Sequence, residues 1–142
     1  MLRRSRSAVA SILLAVGLAV TLPSSPAAAY DNDIGVIKVP NQIRKGGCAG
    51  YLLPWSFTPP TEDWTVVARI RNPRREGVAS FYWDANAGNN MGRTHGHLTF
   101  QLCGASAPVG RYSVSMQMIY NEGRDLYTLN RAPTHFRLVQ RR

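Results

Sequence analysis

Trp64-Thr65-Val66-Val67-Ala68-Arg69-Ile70-Arg71 is the stretch that decides the fold. Trp64, Val66, Ala68 and Ile70 alternate with Thr65, Val67, Arg69 and Arg71, so a two-residue period separates an apolar face from a largely wet one, as in a half-buried strand. Asn72-Pro73-Arg74-Arg75-Glu76-Gly77 then reads as a turn from its Asn-Pro start and Gly end, and residues 78–83 return as a short strand. The same pattern extends both ways. Residues 34–39 form a strand stopped by Pro40-Asn41, and residues 48–57 another, stopped by Thr58-Pro59-Pro60. After a polar loop over 84–93, residues 95–102 set Leu98, Phe100 and Leu102 against His95, His97, Thr99 and Gln101. Pro108-Val109-Gly110 opens a strand in which Tyr112, Val114, Met116, Met118 and Tyr120 share a face, Asn121-Glu122-Gly123 closes it, and Phe136 and Leu138 mark the last strand. Beyond residue 29 no helical apolar stripe exceeds about two turns. Some seven short strands at near-regular spacing predict an all-β, antiparallel β-sandwich, with a small barrel as the alternative.

The chain has 142 residues, 17 Lys plus Arg against 8 Asp plus Glu, and a net charge of +9, which fits one modest domain. Residues 1–7 carry Arg3, Arg4 and Arg6, residues 8–22 are apolar, and residues 23–29 end in Ala27-Ala28-Ala29. This basic, apolar, small-residue order predicts a signal peptide over residues 1–29. The apolar run is shorter than the roughly 20 residues that span a bilayer. A single secreted domain over residues 30–142, without a membrane span, is therefore expected. Cleavage after Ala29 removes three of the basic residues and none of the acidic ones, leaving +6 on 113 residues.

Cys48 and Cys103 are the only cysteines, and export predicts that they form one intrachain disulfide. In the usual seven-strand sandwich the second and fifth strands are antiparallel neighbours, which brings the start of one beside the end of the other, where these two cysteines lie. Cys103 shares the parity of His95 and His97, so the bridge is expected at a sheet margin.

Pro108-Val109-Gly110-Arg111-Tyr112-Ser113-Val114, with the closing Phe136-x-Leu138, resembles the immunoglobulin-like sandwiches of secreted bacterial proteins. The resemblance covers the last 35 residues and the rest by strand pattern alone. It implies an immunoglobulin-like arrangement and no particular activity. The position two before Cys103 is Gln101, where antibody-type domains carry Tyr.

Three features bear on chemistry. Arg69, Arg71, Arg74 and Arg75 place four guanidiniums within seven residues, a set suited to a polyanion such as an anionic envelope polymer or acidic glycan; the competing interpretation is a solvated charged face. Nucleic acid is not the expected partner of an exported chain. Phe81-Tyr82-Trp83 puts rings on both faces of its strand, so at least one ring, Tyr82 or one of its neighbours, is expected to be partly exposed, with Tyr82 and Trp83 the candidates for stacking on a sugar or seating a protein partner, against an ordinary role in the core. His95-Gly96-His97 aims two imidazoles to one side of a strand, a start toward Cu(II) or Zn(II) binding, but His135, the third histidine, falls on a strand of the other sheet in this topology.

Copper-handling exported sandwiches resemble this chain in the same strand lead-in. They carry a His near the mature N-terminus, however, whereas this chain would begin Tyr30-Asp31-Asn32, and Met116 and Met118 share the face of Val114. Asp84 and Asn86 have the first spacing of a calcium loop, but Gly88 and Asn89 break the pattern. Glu62-Asp63 is the only adjacent carboxylate pair, and no nucleophile elbow, phosphate-binding Gly loop or His-Glu-x-x-His is present. A non-catalytic binding or interaction module without a cofactor is thus expected, its contact surface joining residues 69–75 to Tyr82. Metal handling through His95 and His97 is the first alternative, and a secreted hydrolase the last.

Overall fold

The computed structural model describes residues 29–141. The expected signal peptide lies, except for Ala29, outside the described residues. The strands are β1 (Gly35–Ile37), β2 (Gln42–Ile43), β3 (Cys48–Phe57), β4 (Trp64–Arg71), β5 (Gly77–Asp84), β6 (His95–Cys103), β7 (Gly110–Glu122) and β8 (Asp125–Val139). Short 3-10 turns at Asn90–Gly92 and Gly104–Ser106 are the helical segments among the described residues. A curled three-stranded sheet ordered β1-β3-β6 faces a five-stranded sheet ordered β2-β8-β7-β4-β5, so the described residues form an all-β, two-sheet sandwich.

β4 carries the period read from its sequence. Trp64, Val66, Ala68 and Ile70 are buried, while Arg69 and Arg71 are exposed. β7 does the same with Tyr112, Val114, Met116 and Met118, which settles the two methionines as core residues. The facing sheet contributes Tyr51, Leu53, Trp55, Phe57, Phe100 and Leu102. Phe57 and Trp83 meet edge to face at 5.2 Å between ring centroids, and Trp55 and Trp83 tilt together at 5.3 Å. This aromatic layer closes the space between the sheets. Gly96 leaves room for it, because a Cβ there would lie 2.7 Å from the Trp55 indole.

Cys48 stands directly opposite Cys103 in the β3–β6 register, and the two are disulfide-bonded at a separation of 55 residues, at the sheet margin as expected. In the chain-entropy account such a crosslink constrains the unfolded chain by about 4 kcal/mol.

Two details depart from the sequence expectation. Among the described residues there are eight strands, because the two-residue β2 pairs in parallel with β8, so the sheets are not purely antiparallel. β8 begins at Asp125, far ahead of Phe136, and forms a long hairpin with β7. Its first residues are exposed on both faces and show no alternation, and the β7–β8 register shifts between Val114 and Met116, opposite Pro133, a residue that cannot donate to a ladder. β5 folds back on β4 after the Asn72–Gly77 turn, as read from the sequence, and is an edge strand of the larger sheet.

At the start of β7 the Tyr112 hydroxyl donates to the Pro108 carbonyl at 2.8 Å, and its ring stacks on Phe136 with centroids 4.9 Å apart. Burial, with a smaller contribution from Tyr51, pushes the phenol up to about 12. Gly110 has φ +136°, and a Cβ there would lie 2.7 Å from Pro73 Cγ, so this corner packs closely on the β4–β5 turn.

Tyr112→Phe is expected to lower unfolding stability by about 1 kcal/mol in urea titrations at pH 7. The wild-type phenol holds its proton to about 12, whereas an unfolded tyrosine loses it near 10. Its contribution is therefore complete below pH 10 and is lost as pH rises from there through about 12, a decline that the phenylalanine variant should not show in the same titrations.

Candidate functional site

The outer face of the five-stranded sheet is built by cross-strand register. Arg69 stands between Ser80 on β5 and Ser115 on β7, while Arg71 stands between Gly77 and Ser113. Ser113 in turn lies opposite His135, and Arg111 opposite Arg137. Opposed residues of an antiparallel pair point the same way, so these side chains occupy one surface.

Arg69, Arg71 and Arg75 line a shallow groove of ≈ 550 Å³ together with Gly77, Val78, Ala79 and Ser80. The β4–β5 register slips between Ile70 and Arg71, which leaves Val78 as the extra, unpaired residue on β5 beside the groove. Small residues on β5 keep its floor open.

The β4–β5 turn is organised by Asn72, the one buried polar residue among the described residues. Its Oδ1 accepts from the backbone N–H groups of Arg74 at 2.9 Å and Glu76 at 3.1 Å. Its Nδ2 donates to Glu76 Oε2 at 2.7 Å, its carbonyl accepts from Arg75 N, and its own N–H donates to the Glu76 carbonyl. This closed set forces Arg75 to φ +66°, the one positive-φ non-glycine residue among those described. A left-handed arginine costs about 1 kcal/mol or more. It persists because Asn72 over-determines the turn.

Arg74, expected in the cationic set, does not line this groove. Its Nη2 donates to the Ala105 carbonyl at 2.6 Å, and its Nε pairs with Glu76 at 3.1 Å, the one ion pair among the described residues. It clips the turn to the Gly104–Ser106 segment. The Asn72 amide, and after it the Arg74 charge, hold the Glu76 carboxyl below its ordinary range.

The aromatic expectation divides. Tyr82 is 56% exposed on the same outer face, one register row beyond Ser80, with its hydroxyl donating to Asp84 Oδ2 at 3.0 Å. Trp83 is fully buried and is corrected from ligand contact to core residue: its parity on β5 points it between the sheets, against Trp55 and Phe57.

The Asp84 carboxylate is used within its own loop, accepting from Asn86 N–H at 2.8 Å and from Tyr82. Those bonds, Asn86 first, hold it below the usual range. Asp63 likewise accepts from Asn121 Nδ2 at 2.6 Å. His95 and His97 share the exposed face of β6, opposite Ser56 and Pro54, while His135 stands on the other sheet, so the three imidazoles do not converge. Among the described residues no group of three or more His, Cys, Asp or Glu is placed to share a metal ion.

The sequence reading did not single out Arg111 and Arg137, and it weighed His135 only as a third metal ligand. Parity opposite to Tyr112, Phe136 and Leu138 marks them as outward-facing. Only the β7–β8 register brings them together. No protein-family model matches the chain, and no curated protein matches it.

Two substitutions separate scaffold from surface. Asn72→Ala is expected to lower unfolding stability by about 2–3 kcal/mol in urea, since it leaves the Arg74 and Glu76 N–H groups without their acceptor. Arg75→Gly relieves the left-handed backbone and is expected to hold or raise the melting temperature while removing one cation from the groove.

Proposed function

We propose that the chain is a secreted, non-catalytic binding module with an immunoglobulin-like strand arrangement, whose ligand is anionic. The observation that carries this is the groove itself: Arg69, Arg71 and Arg75 converge on it from a strand and its turn, and no carboxylate is among its lining residues. Guanidiniums stay charged at physiological pH and present forked donors that match oxyanions, so they suit holding an anion rather than moving protons. Export is supported by the basic, apolar, small-residue order before Tyr30 and by the Cys48–Cys103 disulfide. The immunoglobulin-like arrangement is supported by the β3–β6 pairing across the disulfide and by a Tyr at the start of the penultimate strand that bonds back four residues.

Among the partners that the composition allows, an anionic envelope polymer fits better than a neutral glycan. The cations line the groove, whereas Tyr82 stands as a single ring at its margin. His95 and His97 lie on the other sheet and take no part.

The exported protein is expected to begin at Tyr30 and to weigh two protons less than the dithiol chain, as read from an intact mass spectrum. On an immobilised sulfated polysaccharide, Arg69→Ser plus Arg71→Ser is expected to weaken binding on the order of tenfold to a hundredfold, and His95→Ala plus His97→Ala to leave it unchanged. Unchanged binding in the arginine variant would overturn the proposal.

A further inference from the structure

The arginine groove does not stand alone. Arg75 lines a second groove of ≈ 410 Å³ with Pro73, Arg111, Ser113 and His135. Arg111 and His135 then line a third, of ≈ 170 Å³, with Asn41 and Arg137. Shared walls join the three into one course across β4, β7 and β8, and no carboxylate is among the lining residues of any of them. Glu62, Asp63, Asp84, Glu122 and Asp125 stand toward the opposite ends of the strands, Glu76 is held by Asn72 and Arg74, and Asp31 and Asp33 lie in the segment before β1, where Asp31 N–H donates to the Asn130 carbonyl and Asp31 Oδ1 accepts from Asp33 N–H.

The course keeps features that stability alone disfavours. Arg111 and Arg137 are directly opposed like charges, an arrangement that destabilises an antiparallel pair. Arg75 is held left-handed where glycine is at home. Two independent departures from local preference, both adding positive charge to one course, mark a surface shaped for a ligand.

Resting on the anionic-ligand proposal above, we infer that this course is one track for a linear polyanion bearing phosphate or sulfate groups, not a seat for a single small anion. The axial offset from Arg69 to Arg137 is four residues, over two strand spacings, which gives a diagonal on the order of 15 Å at ordinary strand dimensions. That length takes several charged repeats. Ser80 and Ser113 stand beside the arginines in the register, while the Ser115 hydroxyl donates to the Arg69 carbonyl at 3.4 Å. A guanidinium fork occupies two oxygens, and a neighbouring hydroxyl can donate to a third, which a tetrahedral oxyanion has and a carboxylate lacks. The lining of the first groove holds no aromatic side chain, so stacked nucleobases gain little there.

The test uses the oxidised protein with inorganic pyrophosphate, tripolyphosphate and a polyphosphate long enough to cover the track, at low and physiological salt. Heparin is the sulfated arm, poly-glutamate the carboxylate arm and a dT oligonucleotide the nucleobase arm, each of matched charge. Affinity is expected to rise tenfold or more from pyrophosphate to the long chain, with heparin following the long polyphosphate and with poly-glutamate and the oligonucleotide weaker than both. Arg111→Ser plus Arg137→Ser is expected to remove most of that gain and make the salt dependence shallower by about one unit or more in log–log slope, with a smaller loss for pyrophosphate than for the long chain. A preserved melting temperature shows that the variant is folded.

If pyrophosphate binds as tightly as the long chain, or the double variant keeps the full gain, the track is overturned and the first groove stands as a simple anion site. Equal binding of poly-glutamate overturns the tetrahedral-oxyanion class, and tighter binding of the oligonucleotide replaces it with nucleic acid. If none of the polyanions binds the wild type, the anionic-ligand proposal itself fails.

Discussion

The two-residue period of β4 is the constraint on which the rest depends. Because successive side chains of a strand leave on opposite sides, the residues that bury Trp64, Val66, Ala68 and Ile70 also drive Arg69 and Arg71 outward. β4 lies between β7, the central strand, and the edge strand β5, so its inward face is flanked on both sides in one core wall and its outward face on both sides in the exposed sheet. A one-residue slip in register would exchange the two faces and bury the arginines. The apolar period that stabilises the domain therefore also fixes where its positive charge is displayed.

Asn72 carries that arrangement off the end of the strand. A buried amide is costly unless its groups are paired, and here the amide meets Arg74 N, Glu76 N and the Glu76 carboxylate. The pairing sets the turn tightly enough to keep an arginine left-handed. Arg74 and Pro73 then tie the turn to the Gly104–Ser106 segment and to Gly110. The Cys48–Cys103 bridge closes the nearby margin of the opposite sheet, next to the Gly104–Ser106 segment that Arg74 grips. Rigid support of this kind lets exposed side chains act as a surface of fixed shape.

Much of this was legible in the sequence. Alternation located the main strands and assigned faces correctly on β4, β6 and β7, and the cysteine positions agreed with the β3–β6 pairing. The local turn chemistry of Asn72 to Gly77 was also visible, and with it three of the arginines that share a groove. Less was legible where partners are distant in sequence. The parallel contact of β2 with β8 and the opposition of Arg111 to Arg137 depend on pairings that no local pattern reports. The early part of β8, exposed on both faces, carries no apolar period to read. Arg74 and Trp83 show the limit of composition: four guanidiniums in seven residues, or three rings in a row, say nothing about which way each points until the turn and the parity are placed.

The most direct measurement is a set of backbone and guanidinium NMR spectra of the oxidised, isotope-labelled protein, titrated with tripolyphosphate. Saturable shifts should centre on Arg69, Arg71 and Arg75 and leave His95 and His97 on the opposite sheet unmoved. Shifts centred on β6, or none that saturate at the three arginines, would contradict an anion-binding face on the five-stranded sheet.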